Sequence, residues 1–173
     1  MPLTRVSLRR GKPAAYRKAL LDGIYRALRA VFDVPENDRF MVITEHDDAD
    51  FSYPDDYLGI RHSADIVIIQ ITVSNTRPRP KKQALYREIV AELAKDPGVR
   101  PEDVVINLVE VLPENWSFGN GIAQYVADQR RRTHSQDSKE SHHVHRALRP
   151  QTAGRLRPLH HPQPGRAARR PVG

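Results

Sequence analysis

Ile66-Val67-Ile68-Ile69-Gln70-Ile71-Thr72-Val73 decides the fold. Seven of these eight residues are β-branched, and such a run suits a central strand covered on both faces. Downstream, Thr76-Arg77-Pro78-Arg79-Pro80 leads into a helix whose start is marked by Pro80, with Leu85, Ile89 and Leu93 as its apolar stripe. Pro97-Gly98 stops that helix, and Val104–Val111 reads as a closing strand. The result is a β-α-β unit.

The same unit stands upstream. Leu3–Leu8 is a short strand with Thr4, Val6 and Leu8 on one face, and Pro13 opens a helix where its missing N–H costs nothing. Leu20, Ile24, Leu28 and Val31 recur at helical spacing, Pro35 ends the helix, and Phe40–Thr44 is a strand of buried type. Tyr16-Arg17 in the first helix matches Tyr86-Arg87 in the second, and Val34-Pro35-Glu36 before one strand resembles Pro101-Glu102-Asp103 before the other. His46–Asp65 joins the units as a loop or hairpin. The expected fold is an α+β domain over residues 1–129. It is a tandem β-α-β repeat forming a four-stranded mixed sheet with both helices on one face. The other face then needs a partner, and self-association is the simplest.

Composition bounds the rest. There are 173 residues and no cysteine, which excludes disulfides, thiolate metal sites and a cysteine nucleophile. No run of 18 apolar residues exists, so no membrane span is expected. The N-terminus lacks a signal-peptide pattern, which makes the cytoplasm the expected location. The net charge of +7 is unevenly spread. Residues 130–173 carry 11 Arg and Lys against 2 Asp and Glu, while the other 129 residues carry 17 against 19. That Arg/His/Pro-rich segment holds six of the eight histidines and no aromatic of the Phe, Tyr or Trp type. It reads as a disordered basic tail whose reach toward nucleic acid is at most weak.

Six residues of the domain are candidates for chemistry. Methionine is normally removed before a small second residue, so Pro2 would present a free secondary amine at the start of a rigid strand. Arg77 and Arg79 each precede a proline, which favours extended backbone. Two extended positions at i and i+2 project to one side, beside the free N–H groups of a helix N-terminus; a small carboxylate fits there. Asp38 either orients a substrate or pairs with Arg39. Trp116 and Phe118, in Trp116-Ser117-Phe118-Gly119, are suited to walling a small-molecule pocket. His46 and His62 show no metal-ligand spacing, and no phosphate-cradling glycine loop is present.

Pro2 at the start of the first of two β-α-β units, Val34-Pro35-Glu36-Asn37-Asp38-Arg39-Phe40, Arg77-Pro78-Arg79, and Asn115-Trp116-Ser117-Phe118-Gly119 together resemble the tautomerase superfamily, and within it the malonate semialdehyde decarboxylases. The resemblance implies a homotrimer that needs no cofactor or metal. It implies Pro2 as catalytic amine, Arg77 and Arg79 as the carboxylate-binding pair, Asp38 as the polar partner near the amine, and Trp116 and Phe118 as the aromatic wall. The implied reaction is decarboxylation of a small 3-oxo acid such as malonate semialdehyde, with hydration as a side activity. Two alternatives stand beside it. One is a keto–enol tautomerase of a 2-oxo acid such as phenylpyruvate. The other is a non-catalytic trimeric module whose tail binds a polyanion.

Overall fold

The computed structural model describes residues 2–127; the tail expected over 130–173 lies outside them. Strand β1 (Pro2–Arg9), helix α1 (Ala14–Phe32) and strand β2 (Phe40–His46) form the first unit. A small hairpin, β3 (Asp56–Tyr57) and β4 (Ile60–Arg61), occupies the connection. Strand β5 (Val67–Ser74), helix α2 (Arg79–Lys95) and strand β6 (Val104–Val111) form the second. The main sheet has the order β2-β1-β5-β6. Strands within each unit pair in parallel, and the units meet through the antiparallel β1–β5 pair. This is the expected mixed sheet.

Both helices lie on one face. Thr4, Val6 and Leu8 of β1 and Val67, Ile69, Ile71 and Val73 of β5 are buried there. Leu20, Ile24 and Leu28 of α1 and Leu85, Ile89 and Leu93 of α2 complete the core. Each valine, leucine and isoleucine among them contributes about 1.5–3 kcal/mol through burial. Val31 is only partly buried, and Phe32 takes the deep position at the end of α1.

Two strands differ from expectation within one chain. Among the described residues, β5 has helix cover on one side, while on the other Ile68 and Thr72 are half-buried and Gln70 is exposed. β2 is an edge strand with Phe40 and Val42 exposed. An apolar run records how much cover a strand receives in total, without distinguishing helices of its own chain from a second copy. α1 also ends earlier than Pro35 suggests, because Asp33 adopts the left-handed conformation (φ 54°) at its C-cap.

Gly23 of α1 packs against Leu93 of α2. A Cβ built there would stand 2.9 Å from Leu93 Cδ2, and Leu93 is fully buried. Gly23→Ala would ordinarily strengthen the helix by about 1 kcal/mol. Here overpacking, at about 1–3 kcal/mol, outweighs that gain. The expected result is a lower urea midpoint with an unchanged m-value.

Candidate active site

The strand directions gather four chain ends at one edge of the sheet. β1 and β2 begin there, and β5 and β6 end there. Pro2 pairs with Val73 and lies on the helix-covered face, in phase with Thr4 and Val6; it is buried. Leu3 pairs with Phe40, which brings the Asp38–Arg39 segment alongside Pro2 although Pro2 and Asp38 are 36 positions apart in the chain.

The loop carrying Asp38 is fixed from α1. The Tyr25 hydroxyl accepts a hydrogen bond from the Asn37 N–H at 3.0 Å and lies 3.5 Å from the Pro35 carbonyl oxygen. Asn37 sits at φ 66°, a left-handed conformation that asparagine tolerates better than most residues. Arg39 takes Asp22 of α1 as an ion-pair partner at 2.6 Å, and its guanidinium lies over the Tyr25 ring at 5.2 Å. Lys18, foremost, and Arg39 hold the Asp22 carboxyl below its usual range. Asp38 is half-buried, with its Oδ1 inaccessible to solvent.

Arg77 turns inward. Its guanidinium lies 5.2 Å from the centre of the buried Phe32 ring, donates to the Phe32 carbonyl at 3.1 Å and to the Thr76 Oγ1 at 2.8 Å. It thus caps the C-terminal end of α1, where positive charge is favourable, and retains N–H donors for a ligand. Arg79 differs from its expected extended state, because it is the first residue of α2 and is exposed. Pro78 is the N-cap, so the helix begins before Pro80, whose missing N–H is harmless in a first turn. The two arginines therefore share the end of the sheet but not one conformation.

After β6, Pro113–Asn115 forms a single helical turn that carries the chain back over this edge. Trp116 is buried and its indole N–H donates to the Ser74 Oγ at 3.1 Å, tying it to the end of β5. Phe118 stacks on Trp116 at 5.6 Å and lies 6.3 Å from Phe40, the neighbour of Leu3. Tyr125 closes the row. Pro2, Asp38, Arg77, Trp116 and Phe118 thus converge on one edge of the sheet.

Sequence reasoning missed Ser74, Tyr25 and Tyr125. An aromatic at position 25, on a helix face otherwise charged with Asp22, Arg26 and Arg29, was the available signal for Tyr25. Another hollow of about 400 Å³ lies by the beginning of β6, among Tyr57, Ile60, His62, Glu102 and Val104. It lacks a paired cation and anion around a chain terminus, so the chemistry favours the other edge.

A family model described as tautomerase enzyme matches residues 38–119. The curated "Probable tautomerase YusQ" of Bacillus subtilis (strain 168) is 35% identical over 126 residues, covering 73% of this chain and 99% of that protein. "Probable tautomerase YrdN" of the same strain is 34% identical, covering 73% and 97%. Among solved structures, a malonate semialdehyde decarboxylase studied for its decarboxylase and hydratase activities superposes with a TM-score of 0.69 at 31% identity, over 73% of this chain and 98% of that one. A second malonate semialdehyde decarboxylase, inhibited by 3-bromopropiolate, gives 0.69 at 36%, over 73% and 96%. A fused 4-OT chain shares the fold at a TM-score of 0.60 and 20% identity, over 72% and 98%.

Proposed function

The chain belongs to the tautomerase superfamily, and from that premise we propose that it is a cofactor-free decarboxylase of a small 3-oxo acid, malonate semialdehyde being the model substrate. The observation that carries this reading is the convergence of Pro2, Asp38 and the inward-turned Arg77 on one edge of the sheet. Likeness to two malonate semialdehyde decarboxylases, at 31% and 36% identity, supports it.

With Met1 removed, Pro2 offers a secondary amine. The negative charge of Asp38 favours its protonated form, and Arg77 opposes it. Arg77, joined by Arg79 from the first turn of α2, holds the substrate carboxylate with charge-assisted hydrogen bonds. The protonated amine donates to the 3-oxo oxygen. The C–C bond to the carboxylate then breaks, carbon dioxide leaves, and the electron pair moves into the carbonyl as an enolate that the N–H stabilises. Protonation of the enolate carbon gives acetaldehyde. The buried Trp116, with Phe118 stacked on it, gives these groups an apolar wall, which strengthens the interactions beside it.

The assembly we propose is a homotrimer. On the sheet face without helices, Leu3, Phe40, Val42 and Val109 cluster near the Pro2 end and Ile68 and Val105 near the other, with Arg5, Gln70 and Asn107 between them; Phe40 is 49% and Val42 43% exposed. Exposed apolar residues rimmed by polar ones suit an association surface, and a second copy supplies the missing cover. We place the enzyme in the cytoplasm, where a chain without cysteines loses nothing to the reducing conditions.

The second reading is keto–enol tautomerisation of a 2-oxo acid such as phenylpyruvate, favoured by the two curated relatives named as probable tautomerases. It needs a neutral amine acting as base. The two readings are separated by the titration of the Pro2 nitrogen, followed by 15N NMR on the mature protein. The decarboxylase is expected to titrate above the roughly 7.7–8.0 of an ordinary α-amino group and to release acetaldehyde from malonate semialdehyde. A nitrogen titrating well below neutrality, together with enol consumption and no acetaldehyde, assigns the protein to the tautomerase reading instead.

A further inference from the structure

The aromatic row has a third member that the mechanism above leaves unused. Tyr125 lies in the turn of helix at 124–127 and meets Phe118 edge-on, with ring centres 5.1 Å apart and planes at 77°. Its seat is built. Gln124 accepts a hydrogen bond from the Phe118 N–H at 3.0 Å and donates to the Gly119 carbonyl at 2.9 Å, fastening that turn onto the Trp116–Gly119 segment.

Within the row, the indole N–H is already engaged by Ser74, so the Tyr125 hydroxyl is the polar group that remains. Burial raises its pKa above the ordinary phenol value; the Asp38 carboxylate raises it further and Arg77 lowers it. Tyr125 therefore lies within electrostatic reach of both charged residues and keeps its proton across the working range, as a neutral donor. The row it closes runs through Phe118 to Phe40, the strand neighbour of Leu3, and to Trp116 at the end of β5.

We propose that Tyr125 is a specificity-determining residue: its hydroxyl donates a hydrogen bond to the oxo oxygen of a substrate whose carboxylate Arg77 holds, and so selects 3-oxo acids over carboxylates lacking that oxygen. This rests on the reading of the Pro2, Asp38 and Arg77 edge as the active site. A carbonyl oxygen has two lone pairs, so it accepts from the prolyl nitrogen and from Tyr125 together. The second hydrogen bond strengthens as negative charge builds on that oxygen.

The test compares Tyr125→Phe with wild type in the full-length protein, using malonate semialdehyde as substrate and propionate as a competitive ligand without the oxo group. Tyr125→Phe keeps the ring and its packing on Phe118. Its kcat is expected to fall about tenfold, with propionate inhibition unchanged within twofold. An unchanged kcat overturns the proposal, as does a loss of propionate affinity matching the loss of activity, which would mean packing alone. Arg77→Ala run in parallel keeps the two readings apart. If it weakens propionate while Tyr125→Phe leaves kcat intact, only the role of Tyr125 fails. If Arg77→Ala leaves propionate binding unchanged, the active-site reading itself fails.

Discussion

Mature Pro2→Ala protein is expected to lose at least a hundredfold in kcat/KM toward malonate semialdehyde, while its melting curve and oligomer mass stay those of the wild type. General acid–base groups contribute typically 10²–10⁴ in rate, and a positioned amine that also polarises the carbonyl stands at the upper part of that range. The structural change is slight, because Pro2 is the first residue of β1 and its ring nitrogen gives no hydrogen to the ladder. Alanine leaves a primary amine on a backbone with a freer φ, so the donor is less well aimed. A second variant reaches the same end by another route. Pro2→Leu places a bulky residue after Met1 and retains the initiator, acylating the nitrogen at position 2. Both should be inactive and folded. Activity within threefold of wild type in either one would remove the amine from the mechanism.

Arg77→Ala carries the next largest effect, a rise in KM of about ten- to a hundredfold for malonate semialdehyde. Hydrogen bonds to charged groups are worth about 1.5–3 kcal/mol, and each 1.4 kcal/mol is tenfold in affinity. Arg77→Lys should recover only part of the loss, because an ammonium cannot reproduce a planar fork. Arg79→Ala should raise KM less than Arg77→Ala, since Arg79 is exposed on the first turn of α2 whereas Arg77 is anchored on Phe32 and Thr76. Steady-state kinetics on the three variants give the ranking directly. Equal losses in the two alanine variants would mean that both guanidinium groups grip the carboxylate alike.

The architecture was legible because it is written in periodicity. The stripe of Leu85, Ile89 and Leu93, the alternation of Thr4, Val6 and Leu8, and the Pro97-Gly98 stop each report a local geometry that tertiary packing left in place. Gly98 adopts φ 90° and its N–H bonds to the Leu93 carbonyl, the closing device that its position suggested. The depth of β2 was not legible, because Phe40-Met41-Val42-Ile43 is equally apolar whether covered by a helix or by another chain. Within the site, residue types were readable but directions were not. Arg77 and Arg79 look equivalent as two Arg-Pro dipeptides, yet one folds back onto α1 and the other starts α2. The choice of Asp22 by Arg39 depends on α1 passing beside the loop, a long-range fact with no sequence signature. Ser74 was invisible for the same reason, since its hydroxyl matters only once Trp116 returns to the end of β5.

The antiparallel seam between β1 and β5 has a consequence for how many reactive centres one polypeptide can carry. It relates the two halves by an approximate twofold rotation, so the beginning of β5 and the end of β2 form a counterpart edge across the sheet. At that counterpart, the position equivalent to Pro2 is reached through an ordinary peptide bond from Asp65 and Ile66, and its nitrogen is an amide with no basicity. Joining two similar units end to end therefore leaves a free prolyl nitrogen, once Met1 is removed, at one of the two edges alone, and the small hairpin before β5 lies on the connection that leads to the other.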